Sequence, residues 1–134
     1  MTTSTILRHL ISIRDGFKKV DAITRGLGAR PQQSELEAAL IKRGIIVNDE
    51  IDGKARELTV AYPDWRTRAR GDGALRSIIE EAEGFMHSIL RMDECLAMAV
   101  GQRMDEVKSK LGSLRQTSRM AYSYTTQSTL RARH

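Results

Sequence analysis

Hydrophobic residues recur at intervals of three and four along most of the chain, a pattern typical of helices that each bury one face. The first such run predicts a helix over about residues 5–27. Its apolar positions are Ile6, Leu10, Ile13, Phe17, Val20 and Leu27. Gly28 follows, and glycine readily adopts the left-handed conformation that ends many helices.

A second run predicts a helix over about residues 34–62. Ser34 and Glu37 have the spacing of a capping box, in which both side chains satisfy free backbone donors at the helix start. The apolar positions are Leu36, Leu40, Val47, Ile51, Leu58 and Tyr62. Residues 44–47 resemble a strand by composition, but the longer helical period continues through them. Pro63 is expected to end the helix, because proline has no N–H to donate.

The polar, arginine-rich segment 63–73 predicts a linker, and Asp72 is a candidate cap for the next helix. A third run predicts a long helix over about residues 74–123, followed by a flexible basic tail over 125–134. Asp93 and Arg103 interrupt the apolar seam of this helix, and polar residues at seam positions often set register or partner choice. The seam comprises Leu75, Ile79, Ala82, Met86, Ile89, Leu96, Val100, Val107, Leu111 and Leu114.

We therefore predict an all-α fold, an antiparallel bundle of three main helices with a long C-terminal helix, forming a single domain over residues 1–134. The low aromatic content of 4% agrees with helix packing by aliphatic side chains. At about 1.5 Å per residue, the third helix is about 70 Å long and the first two about 35–45 Å. A bundle of this kind leaves part of the seam uncovered. Either the helix breaks at Gly101 or Gly112, or its free stretch contacts another chain.

The positive charge of the chain is concentrated at its end. Six basic residues and no acidic ones follow Glu106, so the formal net charge of +5 leaves the first 106 residues at −1. Val107, Leu111 and Leu114 maintain the apolar rhythm among these charges. We interpret this segment as a surface that awaits a partner.

The sequence contains no recognisable catalytic or metal-binding constellation. Glu83 and His87 lie four residues apart, whereas carboxylate-bridged metal sites in bundles use a spacing of three. Cys95 is the only cysteine, which rules out an intramolecular disulfide, and we expect it to be a small buried hydrophobe. No apolar run approaches the ~20 residues of a membrane span, and the N-terminus lacks a signal-peptide core. We predict a cytoplasmic protein with no catalytic, cofactor or metal site.

Two basic segments are candidate nucleic-acid surfaces. Their side chains would contact phosphates and stack on bases. The first comprises Lys108, Lys110, Arg115 and Arg119 with Tyr122 and Tyr124, and the second comprises Trp65 with Arg66, Arg68 and Arg70. Alternatively, the first set stays solvated beside the seam and the second belongs to a linker pinned by one tryptophan.

Two segments resemble flagellar export chaperones of the FliT and FlgN kinds. "ALIKRGIIVNDEID" (39–52) is similar to their leucine-rich, arginine-bearing second helix, and "ILRMDECLAMAVGQRMDEVKSKLGSLRQTSRMAYSY" (89–124) resembles their last long helix. The resemblance covers about residues 36–124. The residues that carry it in the last helix are Ile89, Asp93, Arg103, Leu111, Leu114, Ala121 and Tyr122.

This resemblance implies a cytoplasmic chaperone that binds a filament-cap or hook–filament junction protein and delivers it to the type III export apparatus. An amphipathic helix of the client would lie in a helix groove. The expected partner-binding residues are Ile89, Met92, Leu96, Val100, Met104, Val107, Leu111, Leu114 and Tyr122. The expected steering charges, which would attract an acidic partner surface, are Lys108, Lys110, Arg115 and Arg119.

Three further hypotheses stay open. A helical enzyme of the chorismate mutase type would need arginines converging on a dianionic substrate, for which Arg14, Arg43 and Arg103 are candidates. A nucleic-acid-binding regulator would use the basic segments. A homodimer would form if an uncovered seam paired with a second copy.

Overall fold

A computed structural model of the protein describes the backbone of residues 2–132 and the side chains of residues 2–119. The elements are α1 (Thr2–Gly26), α2 (Gln33–Ile46), a π-helical segment (Val47–Asp52), α3 (Gly53–Ala61), α4 (Trp65–Gly71) and α5 (Gly73–Ala132). No strand occurs in this described part of the chain, and the predicted all-α class is confirmed.

The chain divides into two compact units, where the sequence pattern predicted a single domain. The first unit is Met1–Leu96 and contains α1 to α4 with the beginning of α5. The second unit is Ala97–His134. Every described side chain of the second unit from Met104 onward is exposed, so this stretch has no buried core of its own.

Two segments that were expected to be non-helical contain helix in the structure. The expected linker over 63–73 contains the helix α4, because Arg and Ala are strong helix formers and Arg68 bonds back to Asp64, four residues earlier. α5 continues to Ala132, where a flexible tail was expected from residue 125. No glycine or proline follows Gly112 to interrupt this helix.

The core of the first unit consists of two neighbouring clusters. One joins Ile6, Leu10, Leu58, Ala69 and Leu75, and the other joins Val20, Ile51 and Ile89. We call α2, the π-helical segment and α3 together the α2–α3 run. Residues late in α1 therefore contact residues earlier in this run and residues late in the first-unit part of α5. The α2–α3 run is thus antiparallel to α1 and to the first-unit part of α5, as expected for consecutive helices of a bundle.

The π-helical segment lets α1 approach closely. At Gly16, an added Cβ would lie only 2.8 Å from Cγ1 of Ile51, so a larger residue fits there only if the Ile51 side chain or the backbone shifts. The wide turn also shifts the buried face by one residue, since Ile46 and Ile51, five apart, both pack in the same cluster. The predicted core position Leu40 is accordingly wrong, because its side chain is 51% exposed and Ala39 is buried instead.

Two helix ends follow the local chemistry that the sequence predicts, and one does not. Gly28 has a φ of 69° just after α1, and Oδ1 of Asp72 accepts bonds from the amides of Ala74 and Leu75 at the start of α5. The capping box at Ser34 is wrong. α2 begins one residue earlier, so Ser34 lies inside the first turn and the cap residue, Gln32, makes no side-chain capping bond.

Candidate partner-binding surface

A row of exposed apolar side chains runs along the second unit. We call it the α5 stripe, and it consists of Val100, Met104, Val107, Leu111 and Leu114. Their exposure ranges from 36% at Val100 to 66% at Leu114. Large aliphatic side chains are usually buried in a protein's interior, and a contiguous exposed set of them is typical of an interaction surface.

The spacing of the stripe explains why its members share one face. Successive members are separated by four, three, four and three residues. This is the a and d spacing of a heptad repeat, which presents a seam that another helix can cover. The α5 stripe therefore has the residue spacing of a surface that packs against another helix.

Basic side chains border the α5 stripe. Lys108, Lys110, Arg115 and Arg119 are all exposed, as side chains that steer a partner must be. Among the described side chains, no ion pair or hydrogen bond engages Lys108, Lys110 or Arg115. The segment therefore combines apolar area with positive charge that the described chain leaves uncompensated.

The remaining predicted partner-binding residues are not part of the α5 stripe. Ile89 is only 6% exposed and packs with Val20 and Ile51, so its assignment to a binding surface is wrong. Periodicity placed it on the seam, but this part of the seam is covered by α1 and the π-helical segment. The side chain of Tyr122 lies outside the described residues.

Met92 and Leu96 line an open depression of about 720 Å³ in the first unit. The other lining residues are Thr24, Arg25, Gly28, Ala29, Ser88, Arg91 and Cys95. Arg25 crosses from α1 to α5 by donating a 2.8 Å bond to the hydroxyl of Ser88. Cys95 is exposed here, so its expected burial is wrong. It lies one residue before the half-buried Leu96, beyond the last core contact of α5.

Two of the three arginines proposed for a mutase, Arg14 and Arg43, are engaged by carboxylates. Arg14 donates to Glu81 and Asp15, and these bonds raise the pKa of the Arg14 guanidinium. Arg43 is held by Asp93 through two bonds of 2.8 Å. A dianionic substrate would have to displace these acids, and Arg103 belongs to the second unit.

The side chains of the second basic segment, residues 65–70, also contact one another and their neighbours in the chain. The guanidinium of Arg66 stacks 4.7 Å from the centre of the Trp65 ring, and the indole N–H donates to the hydroxyl of Thr59. Arg68 donates to Asp64, which holds the pKa of that carboxyl below its ordinary value. These contacts favour the interpretation of a segment pinned by one tryptophan.

A smaller apolar patch on α2 was missed by sequence reasoning. Leu40, Ile41 and Ile45 are all more than half exposed. Ile41 and Ile45 lie four residues apart, which is the signal that could have revealed an outward apolar face. The signal was obscured because the predicted core face included Leu40.

Among the described residues, no three His, Cys, Asp or Glu side chains cluster as metal ligands would. None of the described helices combines the length and apolarity that crossing a bilayer requires. Comparison of the chain with protein-family models, curated proteins and solved structures finds no match.

Proposed function

We propose that this protein is a cytoplasmic export chaperone that holds a helical segment of a client protein on the α5 stripe. The observation that carries the proposal is the exposed heptad row of five aliphatic and methionine side chains. Covering one such side chain contributes about 1.5–3 kcal/mol when burial is complete, so a helix laid on the row has a substantial driving force. Methionine at position 104 would adapt the surface to different clients.

The nature of the client rests on the resemblance of residues 36–124 to flagellar chaperones. On that basis the client is a filament-cap or hook–filament junction protein, and the recipient is the type III export apparatus. Such clients carry helical terminal segments that would associate with one another if left uncovered. The role of the chaperone is to cover one of these segments until export.

Co-purification tests the proposal. The intact chain, isolated from cells that express it, should retain a client with a helical terminal segment, and the client's export should fall when the chaperone is removed. Leu111→Asp with Leu114→Asp should abolish retention, since two charges would have to be buried beneath the client helix. The matched control is Ser109→Asp with Gln116→Asp, which adds the same charge at exposed positions outside the α5 stripe. Equal retention by both double variants, with helicity preserved, would exclude the α5 stripe as the client site.

The enzymatic alternative has a separate test. Turnover of chorismate by the purified chain would replace the chaperone proposal with the mutase hypothesis. The ion pairs that engage Arg14 and Arg43 argue against this outcome, because both guanidiniums already have carboxylate partners.

A further inference from the structure

The heptad frame of the α5 stripe gives a position to each residue from 100 to 117. Met104 and Leu111 occupy a positions, and Val100, Val107 and Leu114 occupy d positions. The e and g positions border such a seam and set partner choice through their charges. In this frame the e positions are Gly101, Lys108 and Arg115, and the g positions are Arg103, Lys110 and Thr117.

Both borders of the α5 stripe are therefore basic or uncharged. The two acids of the segment, Asp105 and Glu106, fall at b and c positions, further from the seam. Lys108, Lys110 and Arg115 are exposed and make no ion pair with any described side chain, whereas Arg14, Arg43 and Arg68 of the first unit all hold carboxylates. Lys108, Lys110 and Arg115 are thus available for a partner.

We infer that the α5 stripe selects an amphipathic helix whose own e and g positions are acidic, and that it rejects a second copy of this chain. The inference rests on the proposed function and names the chemistry of the client helix. It argues against the homodimer considered from the sequence.

The rejection of a second copy follows from the geometry of helix pairing. A parallel pair aligns each g position with the next e position of the other helix, so Lys110 would face Arg115. An antiparallel pair aligns g with g and e with e, which again brings basic residues together. Both orientations juxtapose like charges beside a desolvated seam, whereas acidic borders would form opposite-charge pairs in either orientation.

A nucleic acid would offer the same negative charge but would make different use of the surface. Phosphates engage basic side chains and leave an aliphatic seam uncovered. The five apolar side chains lie between the two basic borders, so an acidic helix uses both features at once. An amphipathic protein helix is therefore the better match to the α5 stripe.

Two synthetic helices test this inference against the full-length chain. Both have about four heptads with Leu at a and d, and they differ only in Glu or Lys at e and g. We expect the Glu helix to bind at least about tenfold more tightly than the Lys helix at low salt, with the ratio shrinking at about 0.5 M salt. The variant K108E/K110E/R115E should invert the preference, and the neutral variant K108Q/K110Q/R115Q should reduce it.

The matched control, K18E/R56E/R76E, makes the same change in net charge at exposed positions of the first unit and should keep the original preference. Equal binding of the two helices would overturn the charge inference while leaving the α5 stripe as a helix-binding surface. Failure of both helices to bind would remove the proposed function as well. A dimer seen by sedimentation and lost in L111D/L114D would also overturn the inference. So would binding of a DNA duplex that K108E/K110E/R115E abolishes, if the chain showed no preference between the helices.

Discussion

The guanidinium of Arg43 on α2 donates two hydrogen bonds, each 2.8 Å long, to the carboxylate of Asp93 on α5. The side chains are 16% and 35% exposed, so the pair is partly shielded from water. It joins residues 50 positions apart and ties α2 to the first-unit part of α5. The polar interruption at Asp93 therefore has an internal partner, and the two-pronged geometry of the pair adds specificity to the packing of the two helices.

Removing either partner should destabilise the first unit. We expect Arg43→Met to lower the free energy of unfolding by about 1–3 kcal/mol, because it leaves a partly buried carboxylate without its donors. A double-mutant cycle with Asp93→Asn should give a coupling energy of about 1–2 kcal/mol in urea unfolding at neutral pH.

The exposed pair of Asp64 and Arg68 provides the matched control for this cycle. Its side chains are 59% and 45% exposed, and the two residues lie one helical turn apart. Its coupling energy should be clearly smaller than that of the Arg43–Asp93 pair, because solvent screens an exposed ion pair. Equal coupling in the two cycles would mean that the shielding and two-pronged geometry of the Arg43–Asp93 pair add nothing to its strength.

The close approach of α1 to the π-helical segment predicts the effect of a methyl group. Gly16→Ala should destabilise the protein by about 1–3 kcal/mol, because the added Cβ would lie 2.8 Å from Cγ1 of Ile51. Thermal unfolding monitored by circular dichroism would measure this loss.

Gly84→Ala is the control for that substitution. Gly84 lies inside α5, and no atom outside its chain neighbours and the local helix backbone lies within 4 Å of an added Cβ. Alanine should therefore stabilise the protein by up to about 1 kcal/mol through its higher helix propensity. If both substitutions changed stability in the same direction, the contact between Gly16 and Ile51 would not be the cause.

Much of the fold was predictable because local signals agreed with the tertiary structure. Gly28 and Asp72 mark helix ends by chemistry that operates within a few residues, and the three-four periodicity identified the helices. The π-helical segment was not predictable in this way. Its Ile51 packs against Gly16, which lies far away in sequence, and its extra residue changes the phase of the buried face, so a single helical period misplaced Leu40.

The candidate site was predictable only in part, for a similar reason. Helix lengths alone indicated that Val107, Leu111 and Leu114 would be uncovered, and they are exposed. Periodicity cannot show which neighbour covers a seam, so Ile89 was grouped with them although it is buried. Leu96, Val100 and Met104 are separated by four and four residues. A regular heptad alternates steps of four and three, so two successive steps of four change its phase. This change was the sign in the sequence that the seam has a covered part and an exposed part.

Replacing a leucine by alanine at two positions of α5 should distinguish a core side chain from a surface side chain. Leu75 is 1% exposed, so Leu75→Ala should cost about 2–5 kcal/mol of stability. Leu114 is 66% exposed, so Leu114→Ala should change stability by less than about 0.5 kcal/mol. Chemical denaturation of the two variants provides the comparison. A large loss for Leu114→Ala would show that the α5 stripe is buried in solution, which would contradict its role as an accessible surface.

The pair of Asp64 and Arg68 also predicts a pH dependence. The hydrogen bond from Arg68 is the largest influence on the Asp64 carboxyl and lowers its pKa, with a smaller contribution from the attraction between the charges, while desolvation opposes them. A carboxyl whose pKa is lower in the folded state than in the unfolded state contributes stability above its unfolded pKa, and loses that contribution as the pH falls through its folded pKa.

Titration of the Asp64 side-chain carbon by NMR should therefore show a pKa below that of an unstructured aspartate. Arg68→Gln should raise the pKa back toward the ordinary value, since the charged donor is removed. The stabilities of the variant and the original chain should converge in acid, where Asp64 is protonated in both. Arg70→Gln is the control, because Arg70 is exposed on the same helix and no described ion pair joins it to Asp64. An Asp64 pKa that Arg70→Gln shifts as much as Arg68→Gln would point to the general positive charge of α4 as the cause and not to the single hydrogen bond.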